Sequence, residues 1–205
     1  MPPGFHVAVS NHSCVGDFLL LYRQPRRYTH LVHAAVPTPR GGEERRGRHR
    51  VAFLQATPAA FKTLRRQAAE ADASADVAST LRPVHLFPEG GMSSGAGVLR
   101  FSRGFALLRA PVVPVAFRCR HAFGISTHTL TSSFGANLFW LLFAPSSELT
   151  ATVLPPMRQR GGETEEEFAE RVRAAIAEEL RVPMVAMGIR DKYALKEAAR
   201  ALPQQ

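Results

Sequence analysis

Cysteine is nearly absent: Cys14 and Cys119 are the only two in 205 residues. Two thiols cannot frame a disulfide-stapled fold, and their scarcity suits a reducing or cytosol-facing compartment. Lysine is almost as rare. Only Lys62, Lys192 and Lys196 occur, so arginine supplies nearly all of the 26 basic residues, and it is the cation whose planar fork suits phosphate. Long apolar runs are missing too. The longest, 110–117 and 138–145, are eight residues each, well short of the roughly 18 to 20 that span a bilayer. Nor does the start resemble a signal peptide: residues 1–4 have no basic stretch and 5–10 are too short for an apolar core segment. The opening runs almost directly into a strand, as expected where upstream sequence is missing.

Acidic residues are outnumbered, 17 against 26, leaving a net charge of +9 that draws polyanions. Nucleic acid and anionic lipid both qualify. Nucleic acid is the poorer fit, because three Tyr and one Trp supply no aromatic platform among the basic residues and no recognition helix is evident. At 45% hydrophobic and 21% charged, the composition excludes disorder, collagen and a bare coiled coil and fits one globular domain.

Hydrophobic patterning predicts a strand at 5–10, a polar corner, an apolar helix at 16–22 and a second strand at 28–36. A loop rich in Pro, Gly and Arg follows at 37–50, then a short buried strand at 51–54. Thr57-Pro58 is an N-cap followed by an N1 proline, opening a helix with Phe61, Leu64 and Ala68 on one face. Strands are expected at 83–87, 112–117 and 149–154, a helix or turn at 98–109, and a helix with an aromatic cluster at 134–143. Thr164 and Glu167 form a capping box, after which Phe168, Val172, Ile176 and Leu180 recur every four residues. Short apolar strands separated by helices give an α/β fold with a mostly parallel sheet covered by helices. From 182 to 205 the chain reads as a basic C-terminal tail with a weak helical pattern.

Three constellations fall at strand ends, where open α/β sheets place ligands. The first is Asn11-His12-Ser13-Cys14-Val15-Gly16-Asp17. With His12 before the helix and Asp17 in its first turns, the carboxylate folds back onto one imidazole nitrogen and leaves the other free to take a proton. The second is Phe87-Pro88-Glu89-Gly90-Gly91-Met92-Ser93-Ser94, whose glycine N–H groups and serine hydroxyls suit phosphate. The third is a strand entry holding Pro111 and Pro114, which shapes a wall. Cys14 beside His12 is a poor nucleophile candidate, since cysteine proteases place that pair far apart in sequence. His30 and His33 point to opposite strand faces and lack further zinc ligands, so no metal is expected.

The order and spacing of these pieces resemble the glycerolipid, or lysophospholipid, acyltransferase family. His-x4-Asp comes first, Phe-Pro-Glu-Gly roughly 70 residues later, and Val-Pro-Val some 25 after that. The likeness runs from about residue 7 to 155. Leu99-Arg100-Phe101-Ser102-Arg103-Gly104, the stretch 138–145 and the stretch 165–172 resemble the branch that holds the lysophosphatidylcholine acyltransferases and the ancient ubiquitous protein of lipid droplets.

The resemblance implies a glycerol-3-phosphate acyltransferase-like domain over 1–181, with 182–205 as its tail. It implies transfer of an acyl group from acyl-CoA, the co-substrate, to the hydroxyl of a lysophospholipid or glycerol-phosphate acceptor, with no cofactor. His12 is then the general base and Asp17 its orienting partner. Phe87, Pro88, Glu89, Gly90, Gly91, Ser93, Ser94 and Pro114 fall on the acceptor-binding blocks, and Arg100 and Arg103 add charge. Many members carry Arg after Phe-Pro-Glu-Gly, where this chain has Met92-Ser93-Ser94, and the second block, which normally ends in Arg, here runs from Leu54 into Gln55. The alternative is a weakly active or inactive scaffold of lipid-droplet or endoplasmic-reticulum type, used in lipid storage or protein degradation. Either way the expected place is an anionic membrane or lipid droplet surface on the cytosolic side. The membrane hairpin common upstream in the family and the ubiquitin-binding region downstream in this branch are both expected to lie outside the chain.

Overall fold

Strand β1 (Val7–Ser10) is buried along its whole length, and its side chains alternate between two apolar layers. A computed structural model describes residues 4–17, 28–32, 52–124, 126 and 128–201. Parallel neighbours flank β1. On one side is β4 (Val84–Leu86), with Val7 opposite Val84 and Val9 opposite Leu86. On the other is β5 (Val112–His121), with Val7 opposite Val112 and Ser10 opposite Val115. Strands β2 (Thr29–Val32) and β3 (Ala52–Gln55) extend the sheet past β4, and β6 (Ser147–Val153) closes the other edge antiparallel to β5. The order is β3-β2-β4-β1-β5-β6. This is the mostly parallel α/β sheet that the short apolar strands predict.

Helices α1 (Pro58–Ala73), α2 (Ala75–Thr80), α3 (Phe134–Phe143), α4 (Glu165–Leu180) and α5 (Ile189–Ala201), with 3-10 turns at Arg103–Leu108 and Ala122–Gly124, complete the described elements. Thr57 caps α1 through the Ala60 N–H, and Leu64 and Ala68 turn inward with Phe61 partly buried against the core. In α4 the Thr164–Glu167 capping box is complete in both directions, and Phe168, Val172, Ile176 and Leu180 pack on the sheet with Val9, Leu86, Phe105 and Val112. The opposite layer gathers Ala8, Tyr28, Val113, Val115 and Phe117. The predicted helix at 16–22, the far end of the second strand, the Arg-rich loop at 37–50 and His33 lie outside the described residues, apart from Gly16 and Asp17. Among the described residues no helix is long and apolar enough to cross a membrane.

Two observations position the site. Strands β1 and β4 lie side by side and run the same way, so the loops leaving their carboxyl ends, 11–17 and 87–97, meet at one edge of the sheet. Pro114 sits buried on β5 opposite Val9, one step below that edge. Its carbonyl still accepts the Leu154 N–H at 2.9 Å, so the neighbouring chain stays tied to β5 at this proline.

Candidate active site

Where β1 ends, Asn11 prolongs the sheet with its side chain. Its amide donates to the Phe117 carbonyl and accepts from the Phe117 N–H, both at 2.8 Å, so the corner is clamped to β5 before the chain turns. His12 follows immediately. Its Nδ1 lies 3.3 Å from Oδ2 of Asp17, which is fully buried. The same oxygen accepts the backbone N–H of Ser13 at 2.5 Å and of Cys14 at 2.9 Å, which fixes the carboxylate while it faces the ring. With Nδ1–H donating to Asp17, the Nε2 lone pair is left to accept a proton. The ring stacks on Phe87, with centroids 4.0 Å apart and planes 18° from parallel. Tautomer, tilt and position of His12 are therefore each set by a separate contact.

Glu89 is held within the chain itself. Buried on the Phe87-Pro88-Glu89-Gly90 corner, it accepts the His12 N–H on Oε1 at 2.9 Å and the Leu99 N–H on Oε2 at 3.2 Å. Burial pushes its carboxyl up to about 7, against the pull of those two N–H groups and with a further push from the charge of Asp17. Ser93 N–H reaches back to the His12 carbonyl at 2.7 Å. The two loops are thus stitched at both the N–H and the C=O of His12, across 77 and 81 residues of sequence.

Cys14 is buried in the same turn. Its hydrogen bond with Cys119, then burial, raises its thiol far above the ordinary range, so it stays protonated and is no nucleophile.

The remaining predicted residues are placed as follows. The Gly90 N–H closes a turn on the Phe87 carbonyl at 3.1 Å. The Ser93 and Ser94 hydroxyls accept from the N–H groups of Gly95 and Ala96. Arg100 donates to the Ala186 carbonyl at 3.1 Å, and Arg103 pairs with Glu166 on the first turn of α4. Their recorded contacts are with the tail and α4, away from His12 and Asp17. Beside the His12 turn opens a cleft of about 350 Å³, lined by Ser13, Ser94, Arg120, His121 and His128 among others. Among the described residues no group of three metal-ligating side chains converges.

The basic tail packs directly on this loop. Residues 183–187 run along 98–100, exchanging hydrogen bonds between Val98 N–H and Pro183 O, Val185 N–H and Val98 O, and Arg100 N–H and Met187 O. Buried Arg173 of α4 bonds the carbonyls of Val98 and Val185 together. Helix α5 then seats Ile189 on the glycine pair. A side-chain carbon on Gly91 would stand 2.6 Å from Ile189 Cδ1, and one on Gly97 would stand 2.6 Å from Val185 Cγ2. At Gly97 such a carbon would also stand 3.0 Å from the Pro183 carbonyl oxygen, so a side chain there would push the tail away, whereas at Gly91 the end of Ile189 would have to move.

From α5, half-buried Lys192 donates to the Met92 carbonyl and to His128 Nε2, the latter at 3.0 Å. On the other side of the ring the Asn137 amide nitrogen lies 2.9 Å from His128 Nδ1. Burial, then the Lys192 ammonium, drives His128 down to about 4, so the ring is neutral at pH 7. Sequence reasoning missed Lys192, His128 and Asn11 as site residues. One signal was available: two of only three lysines fall within five residues of each other on α5, in a chain that otherwise uses arginine.

No family model matches the chain. The Danio rerio protein "Lipid droplet-regulating VLDL assembly factor AUP1" is 33% identical over 124 residues, which is 60% of this chain and 29% of that protein. The Caenorhabditis elegans homolog is 32% identical over 58% of this chain and 31% of its own length. Human glycerol-3-phosphate acyltransferase 4 is 33% identical over 46% of this chain and 21% of its own length. The matched stretches thus amount to between a fifth and a third of these relatives. Among solved structures, the 1-acyl-sn-glycerophosphate acyltransferase PlsC of Thermotoga maritima superposes over all of this chain and 70% of its own, with a TM-score of 0.53. At 13% identity that likeness establishes the fold alone.

Proposed function

We propose that this chain, which is similar in sequence to AUP1 proteins and glycerol-3-phosphate acyltransferase 4 and shares the fold of an acyltransferase, moves an acyl group from acyl-CoA to the hydroxyl of a lysophospholipid or glycerol-phosphate acceptor. The observation that carries the reading is His12, held at its ring by buried Asp17 and Phe87 and at its backbone by Glu89. An alcohol is a weak nucleophile until its proton is taken. His12 Nε2 accepts the acceptor's hydroxyl proton as the oxygen attacks the thioester carbonyl, and Asp17 stabilises the imidazolium that forms. The tetrahedral intermediate collapses with loss of the CoA thiolate, to which the imidazolium returns its proton. Glu89 acts as a positioning residue that keeps the His12 peptide aimed.

The acceptor's phosphate fits the cleft beside Ser94, Arg120 and His128, with Lys192 behind His128 contributing positive charge from outside the family's motifs. In this reading 1–181 is the acyltransferase-like unit and 182–205 completes its acceptor side, at the cytosolic face of a lipid droplet or endoplasmic-reticulum membrane. A second reading is favoured by the relatives of AUP1 type, which are named as regulators of lipid droplets: a scaffold with little turnover.

Thiol-reagent detection of CoA release, with acyl-CoA and a panel of lysophospholipids, separates the two. Acceptor-dependent release falling at least about a hundredfold in His12→Ala is expected for the enzyme. No release from the intact chain, despite lipid binding, establishes the scaffold.

A further inference from the structure

Helix α3 (Phe134–Phe143) is built inside out. Its only buried residue is the polar Asn137, while Phe134, Leu138, Phe139, Trp140, Leu142 and Phe143 are between 39% and 76% exposed. A ten-residue helix with no charged residue and its aromatics facing outward is unstable in water unless something covers it. The rings are nonetheless ordered among themselves, Phe139 stacked on Phe143 at 5.2 Å and Trp140 edge-on to both. Phe123, 90% exposed with its backbone in the left-handed region at φ +58°, stands at the same end of the helix, since its neighbour Ala122 bonds to Ser146 just beyond Phe143.

We propose that α3 and Phe123 form the surface by which this protein docks on an anionic lipid interface. Charge at both ends favours that occupant. Exposed Arg120 lies on β5 near Phe123. At the other end Lys196 donates to the Ser132 carbonyl at 3.0 Å, tying to the start of α3 a helix that carries Arg190, Lys192, Lys196 and Arg200 against Asp191 and Glu197. An uncharged aromatic face flanked by cations is the pattern of an interfacial helix, whose rings enter the acyl boundary while its cations meet head groups.

The site's place fits as well. Leu141, on the helix's inner side, lies 3.4 Å from where a side-chain carbon on Gly16 would stand, so α3 leans on the turn between His12 and Asp17. Docking brings that turn to the interface where a lysolipid's hydroxyl lies. This benefit rests on the acyl-transfer reading, whereas the docking itself does not.

Trp140 is the single tryptophan of the chain, so its fluorescence reports on this helix alone. The full chain is titrated with phosphatidylcholine vesicles, with and without about 30 mol% phosphatidic acid, some of them bearing bromine-labelled acyl chains. A blue shift and bromine quenching are expected with the anionic vesicles. In the variant Leu142→Glu/Phe143→Glu, whose positions are too exposed to carry the core, partitioning should fall at least about tenfold. His12→Ala should bind as the parent does, so a failure of docking is told apart from a failure of chemistry. Three results overturn the proposal: an unmoved Trp140 spectrum, equal binding by the double variant, or a shift that appears without lipid and grows with protein concentration, which would mean that a second copy covers the helix.

Discussion

At the residue scale the decisive contact is the carboxylate of Glu89 on the backbone of His12, because it joins two loops at the residue proposed as the general base. Its raised pKa gives a signed expectation. Unfolded, the carboxyl releases its proton near pH 4.5, and folded near 7, so between those values the folded chain holds a proton that the unfolded chain has lost. This group's contribution to stability therefore declines as pH rises through that window. His128, depressed to about 4, works with the opposite sign from pH 6.5 downward. Thermal melts of the parent and Glu89→Gln from pH 4.5 to 8 cancel the His128 effect, which both proteins share. The parent's margin over the variant should shrink as pH rises towards 7; a constant margin would mean that Glu89 is not raised. His12 with Asp17 was legible in sequence, since five residues across a strand-to-helix turn suffice. The Glu89 and Asn11 bonds were not, because each joins a side chain to a backbone group 77 or 106 residues away, and no residue pattern encodes that register.

At the element scale, most helices and strands were readable where a local signal existed. The α4 capping box and its four-residue apolar period each follow from chemistry within one or two turns. The sheet order was not readable, since all the strand runs are short and apolar alike and nothing local says that β1 belongs between β4 and β5. Helix α5 was underestimated for a related reason. Its Ile189 packs on glycines, which leave no hydrophobic mark on the partner loop. Its Lys192 carries an expectation of its own: Lys192→Met should raise KM about tenfold for a phosphate-bearing acceptor, a lost charge-assisted interaction, with a smaller change in kcat. A monoacylglycerol acceptor, which has no phosphate, is the control. Equal losses on both acceptors would assign Lys192 to packing alone.

At the scale of the whole molecule, the tail and the body are one structure rather than a domain with a loose end. Arg173, Val98 and the 183–187 segment share hydrogen bonds through the interior. A chain ended at Arg181 leaves those groups unpaired and opens the grooves over Gly91 and Gly97. Its stability should fall by on the order of 3 kcal/mol, read from denaturant unfolding beside the parent. An unchanged midpoint would show that the tail adds nothing to the fold.

The same docking sets an order of events during synthesis. Every motif residue from His12 to Pro114 leaves the ribosome before Lys192 and Ile189 exist to close over the glycine loop. Contacts across some 100 residues form last, so His12 and the aromatic helix α3 are both made before the tail closes over the glycine loop. Under the docking proposed for α3, attachment to lipid therefore precedes completion of the proposed acceptor side, which waits for α5.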